Sequence, residues 1–405
     1  MNILYISTSC SEFKYKEVYK LRKVKAIEPQ QKFNWLLASG ISEVNGVHVT
    51  ALCGLPVSHS TCNQKSFEHE SEKVSDNLQY EYIAFRNGKI TRLLDFYRNS
   101  KNYIRRWARE QRGKKCCIIV DVLGPFLILG GFSIAKKYGI PVIGVVTDLP
   151  ELSTKMKERK ESLIKKIGLL LFQKLNTDTL KKYDGFVSLT QSINEVVNPG
   201  GLKPEVVVEG SVDARVEYVV SEPQEPPVVV YAGGVYAKYG LKTLVEAFSG
   251  LSVDAELHIY GDGSFVEEIE KINSSHPNIK YMGMASLEDI VIIERQASLL
   301  VNPRPSTEEF SKYSFPSKTL EYMVSGTPLL STRLPGIPKE YFDYIYSIED
   351  ESTEGMRAAL AGVLKLSETE RREKGRNAYE FVKEQKTNVK QGERIIHFIK
   401  ESFYV

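Results

Sequence analysis

The segment VNPRPSTEEFSKYSFPSKTLEYMVSGTPLLSTRLPGIP, Val301 to Pro338, is the part of the chain best equipped to handle a charged ligand. A strand delivers Asn302-Pro303-Arg304, a polar loop with Ser314 follows, and Pro316 stands where a first helical turn begins. Gly326 closes that helix and Pro328 prevents its continuation. Ser317, Lys318 and Glu321 then share one face, at i,i+4 and i,i+3 spacing, while Leu320 and Val324 form a separate apolar edge. The amino end of such a helix suits a phosphate. A carboxylate one turn in can accept both hydroxyls of a ribose. An exposed Lys–Glu pair, the structural alternative, would stabilise the helix by only about 0.3–0.5 kcal/mol.

Two glycine turns offer weaker signals of the same kind. Tyr231-Ala232-Gly233-Gly234-Val235 follows a strand and precedes a helix from Leu241 to Phe248. Glycines there let backbone approach a diphosphate, and Lys238 or Lys242 could neutralise it. His258-Ile259-Tyr260-Gly261-Asp262-Gly263 repeats the arrangement one unit later. Either turn can equally be tight for packing alone. Helix starts are marked by Ser264 with Glu267 and by Ser286 with Asp289, spaced as capping boxes.

Positioning these groups requires strands that alternate with helices, and the whole chain has that rhythm. Short β-branched runs predict strands at 3–7, 47–52, 80–85, 116–122, 141–147, 185–189 and 205–209. A helix from Ile128 to Tyr138 ends at Gly139. The proline- and acid-rich stretch Ser221 to Pro227 reads as a linker. A second cycle begins at Val228, with strands predicted at 228–231, 255–260, 278–281, 298–302 and 328–331. A chain of 405 residues exceeds what one core usually supports. The expected class is α/β, with an N-terminal Rossmann-like domain over 1–213, a linker at 214–227, and a second such domain over 228–386. The final helix, near Asn388 to Phe403 within 387–405, is long enough to pack back on the first domain.

Composition excludes several classes. No apolar run approaches the roughly 20 residues of a membrane span, and the N-terminus reads as a strand rather than a secretory signal. The five cysteines form no CxxC pair, consistent with reduced thiols in a cytoplasm. None of the six histidines pairs at metal-ligand spacing. Between Lys89 and Lys115 there are ten Lys or Arg against two acids, and between Lys155 and Lys182 nine against three, so the first half is locally basic despite a net charge of only +3. Leu163, Ile164, Ile167, Leu170, Leu171 and Leu175 interleave the second stretch. That pattern suits an anionic membrane surface, or a solvated helix with its apolar side on the core. No nucleic-acid motif accompanies the charge.

On these segments the chain resembles glycosyltransferase family 4, the retaining GT-B enzymes, and most closely the bacterial members that build capsule and O-antigen polysaccharide. The likeness is densest from Val228 to Pro338; Val145 to Pro150, Val187 to Thr190 and Val208 to Asp213 add less specific pieces. It implies two doubly wound domains facing a central cleft, with a nucleotide-sugar donor held by the second. Glu321 occupies the place of the family's ribose-binding glutamate, and Met284 and Ala285 that of the backbone beside the base. The first glutamate of the signature should lie eight residues before Glu321, where this chain has Tyr313. Glu308 and Glu309, further upstream, are the candidates to replace it at the donor sugar. Many relatives carry arginine directly after the glycine at Gly233, where this chain has Gly234, leaving Arg304 and Lys238 as substitutes.

The implied activity is transfer of a sugar, with retention, to a glycan or polyprenyl-diphosphate-linked acceptor in surface polysaccharide synthesis, on the inner face of the membrane. The donor-side residues expected are Gly233, Gly234, Lys238, Gly261, Asp262, Gly263, Met284, Ala285, Arg304, Ser314, Ser317, Lys318 and Glu321. Asp148, at a strand end, is the candidate to orient the acceptor hydroxyl. The chain contains no Asp-x-Asp, which fits a reaction without a required metal or other cofactor, in which basic side chains and helix dipoles stabilise the leaving diphosphate. Two other functions fit the same architecture: a nucleotide-sugar epimerase, and a non-catalytic subunit that binds nucleotide-sugar.

Overall fold

The computed structural model describes residues 1–23, 29–149, 163–220 and 224–404. Two compact units emerge, Met1–Ser211 with Asn388–Val405, and Val212–Thr387. Each is built around its own sheet.

In the first unit the strands are β1 (Asn2–Ser7), β2 (His48–Cys53), β4 (Glu70–Lys73), β5 (Leu78–Tyr82), β7 (Cys116–Asp121), β8 (Val142–Val146), β9 (Gly185–Ser188) and β10 (Glu205–Val207), with β3 (Ser66–Phe67) and β6 (Phe85–Arg86) forming a separate ribbon. The sheet runs β10-β9-β8-β7-β1-β2-β5-β4. All its pairings are parallel except the edge strand β4 against β5. Every residue of β7 and β8 is buried, as strands covered on both faces require. β4 carries the sequence Glu-Ser-Glu-Lys, has no apolar alternation, and escapes sequence reading for that reason. Its charges suit an exposed sheet edge.

Two sequence expectations change here. The helix predicted from Ile128 to Tyr138 is two, Pro125–Ile128 and Phe132–Tyr138. A side chain on Gly131, at the break, would come within 2.7 Å of Ile104, so the backbone itself packs on the helix Thr91–Glu110. The strand predicted over 80–85 splits because Tyr82 ends β5 while Phe85 pairs with Phe67 in the ribbon. Of the basic stretch 155–182, residues up to 162 lie outside the described ones, as does Pro150. The remainder forms the helix Leu163–Leu180, on which Leu170 and Leu171 are exposed.

The C-terminal helix Asn388–Phe403 completes this first unit by packing on the helix Pro29–Ser42. The crossing is close because Gly40 meets Gly392: a Cβ on Gly40 would fall 1.8 Å from the Asn388 carbonyl, and one on Gly392 2.4 Å from Gly40 backbone. Gln391 donates to the Gly210 carbonyl at 2.9 Å, tying the helix to the end of the unit's first segment.

The second unit has β11 (Val228–Ala232), β12 (Glu256–Tyr260), β13 (Ile279–Gly283), β14 (Leu299–Asn302), β15 (Leu329–Thr332) and β16 (Tyr346–Ile348), in the order β13-β12-β11-β14-β15-β16. All are parallel, so the chain winds outward from β11 in one direction, then returns to β14 and winds the other way. The crevice at the carboxyl ends of β11 and β14 is where such sheets hold ligands. Its core packs Val229, Leu257, Leu299 and Leu330 from the strands against Leu244, Phe248 and Leu360 from the helices. Ser286 caps the helix Leu287–Gln296 as expected, accepting from the Asp289 N–H. Ser264 does not cap: the Phe265 N–H goes to the Val235 carbonyl at 3.0 Å, and the helix begins one residue later at Val266.

Candidate functional site

A pocket opens at the β11–β14 crossover, lined by Ala232, Gly233, Gly234, Tyr239, Asn302, Arg304, Pro316, Ser317, Lys318 and Tyr322. Its floor is set by the helix Ser317–Ser325. Pro316 is the N-cap, supplies no side-chain hydrogen bond, and lines the pocket with the first two helical residues. The positive end of that helix therefore faces the opening. Gly326 ends the helix in the left-handed conformation, as the sequence predicts.

Tyr322, unremarked in the sequence, fixes this helix to the first glycine turn. Its hydroxyl accepts from the Ala232 N–H at 2.9 Å and donates to the Ala232 carbonyl at 3.1 Å. Tyr322 is 1% exposed. A Tyr322→Phe protein leaves a buried N–H and carbonyl unpaired, and should lose about 1–3 kcal/mol of stability. Urea titration of both proteins measures this. An unchanged midpoint would show that the clamp contributes nothing.

Lys318 is held among carboxylates, 3.0 Å from Glu321 and 3.4 Å from Glu294, the latter 3% exposed. Burial alone would lower the Lys318 pKa, but Glu321 and Glu294 outweigh it and raise it well above the ordinary lysine value. Lys318 thus stays a full cation at the helix end. Arg304 supplies the second cation, stacked over the rings of Tyr239 at 4.8 Å and Phe310 at 5.5 Å. Its approach depends on Gly240, whose φ is 83° and whose Cβ would fall 1.9 Å from the Pro303 carbonyl. Burial holds the Arg304 pKa below the ordinary arginine value. An arrangement of two cations, a helix amino end and a glycine turn can bind a diphosphate and stabilise charge on it.

Of the sequence candidates, Gly233, Gly234, Arg304, Ser317 and Lys318 come together on the pocket, and Glu321 stands behind Lys318. The others lie apart from its lining. Lys238 is exposed, its Nζ over the Tyr236 and Tyr239 rings. Gly261 and Gly263 back onto the first turn: a Cβ on Gly261 would be 1.8 Å from the Gly233 carbonyl, and one on Gly263 2.0 Å from that of Val235. Asp262 caps its own turn through the Gly263 N–H at 2.9 Å. Met284 is exposed and Ala285 half-buried just beyond β13. Ser314 donates to the Phe310 carbonyl at 3.2 Å. Glu308 caps the turn Glu309–Lys312, its carbonyl accepting from Ser311, and Glu309 is exposed. Asp148 belongs to the other unit, exposed beyond the end of β8.

The first unit has a crossover of its own, between β1 and β7, and there sequence reading missed a carboxylate. Asp121, the last residue of β7, is 1% exposed and accepts from Gln30 at 2.6 Å, Asn34 at 3.4 Å and the Leu123 N–H at 3.1 Å. Burial pushes its pKa up to about 6, against the opposing hydrogen bonds. An acid ending the otherwise apolar run Cys-Cys-Ile-Ile-Val was the available signal.

Residues 226–365 match the protein family described as Glycosyl transferases group 1. No curated protein sequence matches the chain. Among solved structures it is similar to a sucrose-phosphate synthase from Thermosynechococcus elongatus, with a TM-score of 0.66 and 14% identity over 99% of this chain and 100% of that one. A structure described as trehalose-6-phosphate from E. coli bound with UDP-2-fluoro glucose gives 0.62 at 10% identity, covering 100% of this chain and 99% of that one. The apo form of the lipopolysaccharide outer core galactosyltransferase WaaB gives 0.60 at 15%, covering 99% of each chain. The fold is therefore that of the GT-B glycosyltransferases, with two Rossmann-like α/β domains.

Proposed function

We propose that this chain is a retaining glycosyltransferase of family 4 that moves a sugar from a nucleoside diphosphate donor to a glycan or lipid-linked acceptor in surface polysaccharide synthesis. The carrying observation is the crossover pocket, where the open end of the helix Ser317–Ser325, Lys318 and Arg304 converge. The donor's diphosphate sits against these groups, and Glu321 takes the ribose hydroxyls. The family match over 226–365 spans this pocket, and the similar structure bound with UDP-2-fluoro glucose supports a donor of the same class.

In the reaction, the bond from the anomeric carbon to the diphosphate oxygen breaks as positive charge grows on the sugar. Lys318, Arg304 and the helix end stabilise the departing oxygens without a required metal. The acceptor hydroxyl attacks the same face and passes its proton to the leaving phosphate. Asp148 orients that hydroxyl, and Glu308 or Glu309 meets the sugar when donor is bound. The exposed Leu170 and Leu171, on a helix that also carries Lys174 and is followed by Lys181 and Lys182, favour an acceptor drawn from an anionic membrane surface.

A panel of nucleotide-sugars tests this reading. One member should raise the melting temperature and, with a lipid-linked acceptor mixture, release nucleoside diphosphate in step with a glycosylated product. Isomerised donor without transfer would identify an epimerase, and binding without turnover a non-catalytic subunit; either refutes the transferase.

A further inference from the structure

The second unit holds another pocket, at the opposite end of the same strands. It lies beside Ala297-Ser298 and Thr327-Pro328, which immediately precede β14 and β15, whereas the crossover pocket lies beyond their carboxyl ends. Strands of four residues put roughly 13 Å between the two. Four charged side chains line it: Arg295, Arg371, Arg372 and Glu368. Arg372 pairs with Glu368, Nε to Oε1, at 2.5 Å. Arg295 and Arg371 are left to face the pocket with two positive charges.

Neither guanidinium is satisfied. Arg371 is 8% exposed, and its buried Nε and Nη1 have no hydrogen-bond partner among the described residues. The Nε of Arg295 is likewise buried and unpartnered, although its Nη2 donates to the Glu217 carbonyl at 3.3 Å. Cations beside the last turn of the helix Ser317–Ser325 could merely complement its negative end. Arginines in that role would spend these N–H groups on the exposed carbonyls, and here they do not. A buried guanidinium with two idle donors is costly unless an oxyanion comes to meet it.

We propose that this pocket is a second anion site, built for a dianionic phosphomonoester that Arg371 and Arg295 hold together. The charge count sets the class: two guanidiniums that pair with no carboxylate among the described residues match one phosphate dianion. The planar fork of arginine suits phosphate oxygens better than a point charge would. A soluble sugar- or glycerol-phosphate and a phosphomonoester lipid headgroup share this chemistry.

The test uses the full chain with glycerol 3-phosphate by calorimetric titration, and with phosphatidate-containing vesicles by sedimentation. The wild type binds at least one of them saturably, and the probe bound identifies the source. Arg371→Met and Arg295→Met each weaken that binding at least tenfold while keeping the affinity for nucleoside diphosphate at the crossover pocket. Arg371→Met, freed of an unpaired buried cation, melts no lower than the wild type without ligand. Lys318→Met leaves glycerol 3-phosphate binding intact. No binding of either probe, wild-type affinity retained by either arginine variant, or binding abolished by Lys318→Met would each overturn the proposal.

Discussion

Replacing Lys318 with methionine is expected to weaken nucleoside diphosphate binding by roughly 10–100-fold, the effect of losing one charged hydrogen bond of about 1.5–3 kcal/mol. The same change is expected to destabilise the fold. Glu294, 3% exposed, lies 3.4 Å from the Lys318 Nζ and would lose that cation. Breaking a buried pair from one side costs about 3–5 kcal/mol, and the 35% exposure of the Lys318 side chain moves the expectation to about 2–3 kcal/mol. A Glu294→Gln change in the same chain separates the two consequences. The double variant should recover most of the stability, because the uncompensated charge is gone, and none of the affinity, because the phosphate cation is still absent. Chemical denaturation and calorimetry on the four proteins of the cycle measure both. Affinity restored along with stability would show that Lys318 acts only through the fold, and would remove it from the donor site.

The same cluster bears on how the proposed donor would bind. Lys318 stands between two carboxyl groups, 3.0 Å from Glu321 and 3.4 Å from Glu294, before a diphosphate arrives. A ribose that occupies Glu321 with its hydroxyls would turn that carboxylate from the lysine toward the sugar. Lys318 would then have one acid partner left and could offer its remaining donors to phosphate. In the proposed complex, ribose-side and phosphate-side binding would be coupled through a single i,i+3 pair, one that contributes little as a surface salt bridge.

What the sequence made legible follows from how local each signal is. Strands such as β7, β8 and β11 are buried at every residue and read as short, mostly apolar runs rich in Val and Ile. Pro316 and Gly326 bracket their helix by backbone geometry alone, which needs no knowledge of the surroundings. The groups that escaped notice depend on partners remote in the chain. Tyr322 clamps Ala232 ninety residues away, and Gly392 is small because Gly40 lies against it. Conversely, Gly261 and Gly263 look like ligand-binding glycines, but their close approach is to the carbonyls of Gly233 and Val235. A glycine reports that something comes near; it does not report what. Glu308 and Glu309 show the same limit. The family resemblance offered them as substitutes for a glutamate missing at Tyr313, and what the fold shows locally is only that the Glu308 carbonyl accepts from Ser311 and that Glu309 is exposed.

Asp121 carries the second large expectation. Its pKa is raised from 3.8 to about 6 in the folded chain, with burial as the main cause. The native state therefore keeps this proton where the unfolded chain has released it, and between pH 4 and 6 it binds more protons than the unfolded state. Stability must fall as pH rises through that window. The difference of about 2.2 units corresponds to roughly 3 kcal/mol, fully present below pH 4 and lost above pH 6. Asp121→Asn keeps the shape, and a flip of the Gln30 amide can present an oxygen to the new N–H group. The variant should lose this part of the pH dependence, and at pH 7.5 it should be at least as stable as the wild type, since no buried carboxylate need ionise. Urea titrations at half-unit steps from pH 4 to pH 7.5 decide the matter. A wild type whose stability does not decline across pH 4 to 6, or a variant that retains the full slope, would mean that Gln30, Asn34 and the Leu123 N–H hold Asp121 ionised despite its burial. A carboxyl that does titrate near 6, at the carboxyl end of the first unit's crossover strand, can hold or release a proton close to neutral pH, which an ordinary aspartate cannot.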